Sequence, residues 1–263
     1  MTGLLEGRVV LVSGVGPGLG RETAAAASRE GASVVLGDLE PDRLEGIRRE
    51  LDPSGQRSAG VRLDITDEAA CQGLVDLAGC RFGRLDGVVH VAAADRVFGG
   101  LLDGSLDDWD LAAEVNVKGT LRLTKAAVPL LRESGGGSVV VIGSVAARKP
   151  SASFVQLAYG ASKAALESVV HYLSRELGPD GIRVNDVSPG FKWGPVLVEA
   201  FGARADELGV SLESLMDPIA QTLSLRRFAG DQDVANAVVF FLSDLARNVT
   251  GQTLFVDGGE LLH

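Results

Sequence analysis

An α/β fold is predicted, with one doubly wound, seven-stranded parallel sheet and helices on both faces, and three features of the chain predict it. Short apolar runs alternate with longer amphipathic ones almost to the end, the pattern left when crossover helices join parallel strands. The runs are apolar on consecutive residues, as in Val9-Val10-Leu11-Val12 and Val139-Val140-Val141-Ile142, which suits strands covered on both sides. A glycine loop, Ser13-Gly14-Val15-Gly16-Pro17-Gly18-Leu19-Gly20, follows the first run and opens an alanine-rich helix. That is the setting of a nucleotide-binding turn.

The elements follow in order. Strands are expected over 8–13, 33–38, 59–63, 87–92, 138–144, 183–188 and 253–256, each a compact apolar run bounded by turn formers. Helices are expected over 18–30, 42–51, 67–82, 106–133, 159–177 and 231–243, where the apolar period lengthens. Thr66-Asp67-Glu68 supplies a cap and an acidic first turn, and Gly31 and Gly178 follow two helix ends. Residues 191–228 interrupt the alternation. They are expected to hold no strand and two short helices, one from Pro195 and one from Asp217-Pro218, and to form a lid inserted into a single domain of residues 1–263.

Composition narrows the function. A chain of 263 residues with a formal charge of −10 lacks the basic surface that nucleic acid or an anionic membrane demands. No basic leader precedes an apolar stretch at the start, and no run is long enough to span a bilayer, so a cytoplasmic protein is expected. Cys71 and Cys80 read as reduced thiols, and His90, His171 and His263 are too scattered for a metal site.

In the glycine loop, Gly14 permits the bend, Gly18 lets backbone amides approach a pyrophosphate, and Gly20 lets the helix pack on its strand. Asp38 ends the second strand and can accept both ribose hydroxyls of NAD, while repelling the 2′-phosphate of NADP. The other reading of Asp38 is a cap for the next helix, a position Asp42 fills better. No lysine or arginine stands at Val15, Gly16, Pro17, Leu39 or Glu40 to compensate for its charge. Farther on, Tyr159 and Lys163 lie four apart on a helix. One face carries both, and the cation is expected to draw the phenol's pKa toward neutrality.

With Asn116 in Asn116-Val117-Lys118-Gly119 and Ser144 in Gly143-Ser144-Val145-Ala146, these motifs resemble the short-chain dehydrogenase/reductase family and its Rossmann fold. The resemblance runs over essentially the whole chain, through Asp64-Ile65, Arg183-Val184-Asn185, Ser188-Pro189-Gly190, Val249-Thr250-Gly251-Gln252 and Val256-Asp257-Gly258-Gly259. It implies a catalytic set of Asn116, Ser144, Tyr159 and Lys163. Tyr159 would exchange the proton, Lys163 would bind the nicotinamide ribose, Ser144 would hold the substrate oxygen, and Asn116 would hold a helix kink and a water. It further implies cofactor contacts from Ser13, Gly14, Gly16, Pro17, Gly18, Leu19, Gly20, Asp38, Leu39, Asp64, Ile65, His90, Val91, Ala92, Pro189, Gly190 and the backbone of Lys192. Read without the resemblance, Ser144 could be a turn cap, Asn116 a surface residue and Asp64 a turn residue.

The chain departs from the family pattern in four places. His90-Val91-Ala92-Ala93 replaces Asn-Asn-Ala-Gly, Ser13 replaces threonine, and Gly194 stands where a threonine commonly bonds the carboxamide, which predicts a more mobile lid. Fourteen residues separate Ser144 from Tyr159, a longer loop than is usual.

Trp193, Val196, Leu197, Phe201, Leu208, Leu212, Leu215, Met216 and Ile219 in the insertion, with Phe98, Phe154 and Leu157, predict a bulky, weakly polar alcohol or ketone substrate. The alternative is that half of them pack the insertion onto its own domain. Val169, Val170, Tyr172 and Leu173 widen the apolar face of one long helix, which suggests a partner surface. The resemblance implies a homotetramer. The leading expectation is an NAD-dependent, hydroxysteroid-dehydrogenase-like enzyme. A 3-oxoacyl-thioester reductase and a non-catalytic dinucleotide-binding protein are the alternatives.

Overall fold

A computed structural model describes residues 3–151 and 154–262. Seven strands form the main sheet: β1 (Val9–Ser13), β2 (Ser33–Asp38), β3 (Ser58–Arg62), β4 (Gly87–His90), β5 (Gly137–Ile142), β6 (Ile182–Pro189) and β9 (Thr253–Val256). They lie in the order β3-β2-β1-β4-β5-β6-β9, with every pairing parallel. The chain winds outward from β1 in one direction and from β4 in the other, so a crevice opens at the carboxyl ends of these two neighbours.

Consecutive strand residues point to opposite faces, which splits the core into two layers. Val10 and Val12, Val140 and Ile142 pack with helices α1 (Leu19–Arg29), α2 (Pro41–Leu51) and α9 (Asp231–Leu242). Val9 and Leu11, Val139 and Val141 pack on the other side with α3 (Glu68–Phe82), α5 (Thr120–Glu133) and α6 (Leu157–Leu177). Each helix thus presents one apolar stripe to the sheet.

The helix expected over 106–133 is three segments. α4 (Leu106–Ala112) passes into a π-helical stretch, Ala113–Gly119, and then into α5. Asn116 stands at the middle of the widened turn, a feature that concentrates at functional sites.

Two expectations for residues 191–228 need correction. A two-stranded parallel sheet, β7 (Lys192–Trp193) with β8 (Ala229–Gly230), closes the base of the insertion. Its helices are α7 (Pro195–Leu208) and α8 (Leu212–Ala220), and the second begins at Ser211, not at Asp217-Pro218. The Ser211 hydroxyl accepts the Ser214 amide at 3.1 Å, which satisfies an amide that Asp217 would have met a turn too late.

The first turn needs glycine for steric reasons. Gly14 has φ +82°, and a Cβ on Gly20 would lie 1.9 Å from the Gly14 carbonyl oxygen. Gly20→Ala is expected to lower stability by about 1–3 kcal/mol through overpacking. Gly46→Ala, at an exposed site of α2 where a Cβ meets nothing within 4 Å, is expected to raise it by about 0.5–1 kcal/mol. Urea denaturation of the two variants checks the contrast.

Candidate active site

A cleft of about 1280 Å³ opens over the crevice between β1 and β4. Its volume exceeds the roughly 300–1,000 Å³ of a pocket for one drug-sized ligand, which suits an extended cofactor beside a substrate. Gly14, Gly16, Pro17, Gly18, Leu19, Gly20, Asp38 and Leu39 line one end, and Ser144, Tyr159, Lys163, Pro189, Gly190 and Lys192 line the other. Ile65, Val91 and Ala92 lie along the wall. A Cβ on Gly16 would meet nothing within 4 Å, so the loop leaves room above the start of α1, where the helix dipole favours an anion. The residues present therefore fit a dinucleotide.

Ser13, Asp64, His90 and Asn116 do not appear among the described residues lining the cleft. The Ser13 hydroxyl is buried and donates 3.4 Å to the Val89 carbonyl. The Asp64 carboxylate accepts the amide and hydroxyl of Thr66 at 3.0 and 2.7 Å, the geometry of a turn residue. Asn116 is buried behind the wall. Its Oδ1 accepts the Ala94 amide at 2.7 Å, and its Nδ2 donates to the Ala94 carbonyl at 3.2 Å and to Ser162 Oγ at 2.8 Å. Ser162 in turn donates 2.7 Å to the Tyr159 carbonyl. Asn116 thus joins the loop after β4 to the helix that carries Tyr159.

Tyr159 and Lys163 share one face of α6, and the Lys163 Nζ lies 5.5 Å from the centre of the Tyr159 ring. The ammonium donates 2.7 Å to the Ile142 carbonyl at the end of β5. Burial brings its pKa down to about 8, against the opposing charges of Asp186 and Asp95. The phenol runs contrary to expectation: burial pushes it up to about 12, a hydrogen bond with Ser144 pulls it down, and Asp95 and Asp186 push it up further. Desolvation is the largest of these causes. Asp186, wholly buried in β6, is itself pushed up to about 6 by burial, although it accepts the Gly143 amide at 2.9 Å and the Ser188 hydroxyl at 3.0 Å.

Sequence reasoning missed Arg43, Asp231 and Phe191, which stand here. Arg43, one turn into α2, lines the cleft and lies 2.5 Å from Asp38 Oδ1. The glycine loop and the two residues after Asp38 hold no cation, but the turn of the helix brings Arg43 back to the carboxylate. Lys192 donates 2.6 Å to Asp231 Oδ1, while Asp231 Oδ2 lies 2.9 Å from the place of a Cβ on Gly194. The carboxylate thus occupies the space a threonine would fill at 194, and the ion pair ties β7 to α9. From the insertion, Phe191, Leu197 and Phe201 reach the cleft. Trp193 stacks on Phe228, and Met216 is buried beside them. The side chain of Val196 lies outside the described residues. Val170 is fully buried against the sheet and Leu173 packs there too, which removes both from the expected partner surface. Tyr172 stays exposed.

Residues 14–260 match the family model described as enoyl-(acyl carrier protein) reductase. The chain belongs to the short-chain dehydrogenase/reductase family. Its relatives include the 7alpha-hydroxysteroid dehydrogenase of Escherichia coli, 32% identical over 97% of this chain and 94% of that one. They also include the 3-oxoacyl-[acyl-carrier-protein] reductase FabG of Thermotoga maritima, 31% identical over 98% of this chain and 99% of that one. Among solved structures, a short-chain type dehydrogenase/reductase from Mycobacterium ulcerans superposes with a TM-score of 0.88 at 34% identity, covering 97% of this chain and 90% of that one. This short-chain dehydrogenase/reductase is therefore an oxidoreductase acting on CH–OH or carbonyl groups, and its family binds a nicotinamide dinucleotide.

His90, the departure in β4, is buried with Nε2 2.9 Å from Thr124 Oγ1 and Nδ1 unpartnered among the described residues. Burial, and then the charge of Lys163, push its pKa down to about 3 from 6.5. Below pH 6.5 the unfolded chain therefore takes up a proton that the folded one refuses, and stability falls as pH drops toward 3. Asp186 has the opposite sign, since the folded chain gains its proton near pH 6 and the unfolded one only near 3.8. His90→Asn should flatten the loss of stability between pH 6.5 and 4. Urea midpoints measured across that range check it, and an unchanged slope would exclude His90 as the source.

Proposed function

We propose that the enzyme interconverts a bulky, weakly polar secondary alcohol and its ketone with NAD(H), using Tyr159 as acid and base. The observation that carries this reading is that Tyr159, Ser144 and Lys163 meet at one end of a cleft whose other end holds the glycine loop and Asp38. The glycine loop would hold the pyrophosphate, Asp38 the adenosine ribose, and Lys163 the nicotinamide ribose. A nicotinamide held there would supply the hydride chemistry and, in its oxidised form, a positive charge. Ser144 orients the substrate oxygen and Tyr159 takes its proton, so donors fixed in advance meet the charge that develops there. Asn116 positions this group through Ala94 and Ser162.

The wall around the reacting end supports an apolar substrate. Phe98 and Phe154 meet edge to face with centroids 5.2 Å apart, and Phe154 continues to Phe201 at 5.7 Å. Residues 191–228 act as the lid over this wall. Exposed Leu106, Trp109 and Tyr172 support assembly into a homotetramer. The acidic composition, and the lack among the described residues of any helix long and apolar enough to cross a membrane, support a cytoplasmic site of action.

Arg43 beside Asp38 favours one competing reading, a 3-oxoacyl-thioester reductase that draws on NADPH, because a cation already stands where a 2′-phosphate would arrive. The buried carboxylate favours NAD. Titrations followed by fluorescence should show NADH binding at least about tenfold tighter than NADPH, and Asp38→Ser should narrow or reverse that ratio by releasing Arg43.

Tyr159→Phe should abolish oxidation of cyclic secondary alcohols and leave NADH binding within about twofold; equal turnover would contradict the proposed proton route. Oxidation by the unaltered enzyme should rise with pH as the phenol ionises. Ser144→Ala removes the bond that lowers the phenol's pKa, so its residual rate should rise only at higher pH.

A further inference from the structure

The turn after β9 places an acidic side chain on the cleft wall that the proposed chemistry does not use. Gly258 and Gly259 turn the chain at φ +67° and +79°. Buried Asp257 accepts the amides of Gly259 and Leu261 at 2.8 and 2.9 Å. From the insertion, the Leu225 amide donates to the Gly258 carbonyl at 2.9 Å and the Ser224 hydroxyl to the Gly259 carbonyl at 3.1 Å. Bonds on both sides hold the turn, so Glu260 is aimed inward.

Glu260 lines the cleft with its side chain 11% exposed. Its two oxygens have different surroundings. Oε1 lies 3.4 Å from the Nζ of Lys149, which also donates 3.3 Å to the Glu260 carbonyl. Oε2 is buried without a hydrogen-bond partner among the described residues, and stands 2.7 Å from the place of a Cβ on Gly190. A buried carboxylate oxygen is unfavourable until it meets a donor. Lys149, on the long loop between Ser144 and Tyr159, completes a polar corner beside Phe154, Phe191 and Phe201, in a wall that Asp95, Arg96 and Gln156 also line.

We propose that Glu260 and Lys149 form a subsite for a second hydroxyl of the substrate, remote from the carbinol that reacts. An alcohol suits the pair, since it accepts from the exposed Lys149 Nζ and donates to the carboxylate beside it. A carboxylate or phosphate would meet the charge of Glu260, an ammonium would meet Lys149, and a plain hydrocarbon would leave Oε2 unpaired. The substrate is thereby a diol or a hydroxyketone on a bulky apolar skeleton. The assignment rests on reading the cleft as the dehydrogenase site.

The test compares cyclohexanol with 1,3- and 1,4-cyclohexanediol, and decahydro-2-naphthol with decahydronaphthalene-2,6-diol, on the full chain. Turnover with NAD and calorimetric binding of each alcohol are both read. In the unaltered enzyme the best diol should exceed its parent alcohol at least about tenfold in kcat/KM, mainly through KM. Glu260→Leu should bring that ratio to about one, while Glu260→Gln, which keeps an acceptor oxygen, should retain part of it. If the alcohols are oxidised but no diol preference exists, or if it survives Glu260→Leu, the subsite is overturned and the dehydrogenase reading stands. If none is oxidised yet a diol binds more tightly in a Glu260-dependent way, the subsite stands and the dehydrogenase reading fails. If no alcohol is oxidised and no diol binds more tightly than its parent, the subsite is overturned as well.

Discussion

A buried ammonium group ties the reacting end of this enzyme together. Lys163 donates 2.7 Å to the carbonyl of Ile142, so α6 is pinned to the end of β5 at the point where the sheet gives way to the cleft. A charge in that position is tolerated because Asp186, on the neighbouring strand, opposes it, and burial still brings the amine down to about 8. Tyr159, one helical turn earlier, owes its place to this anchor. Asn116 secures the same helix from the other side through Ser162. Removing the anchor would free the phenol from the wall it shares with Ser144.

The cleft divides by physical chemistry. At one end the chain exposes backbone amides and the start of α1, which suit an anion, and it sets Asp38 against Arg43 beside them. At the other end Phe98, Phe154, Phe191 and Phe201 share the lining with Asp95, Arg96, Lys149 and Glu260. Such a division gives a dinucleotide and a small-molecule substrate separate ends of one cleft. It also explains why relatives with differing names, a hydroxysteroid dehydrogenase and a 3-oxoacyl reductase, align along nearly the whole chain.

Much of the fold was legible because its signals are local. Parallel strands buried on both faces must be apolar throughout, and β2 and β9 fall where the runs of residues 33–38 and 253–256 placed them. The glycine loop and the Tyr159–Lys163 interval were visible because each depends on spacing along one element. The π-helical stretch at Asn116, the small sheet of β7 and β8, and the start of α8 were not. They depend on contacts with other parts of the chain, as when Gly119 packs so close to Ile65 that a Cβ would lie 2.8 Å from its Cγ2.

Sequence by itself determined the family, the order of the seven main strands, and the choice of Ser144, Tyr159 and Lys163, since these follow from residue type and interval. Tertiary structure alone decided the electrostatics and the lining. Desolvation raised Tyr159 where a neighbouring cation was expected to lower it, and Arg43 returned to Asp38 through a helical turn. The last turn carried Glu260 to Lys149, 111 positions earlier in the chain. Burial and the approach of distant segments set local charge energies, and neither is written in the spacing of residues along a chain.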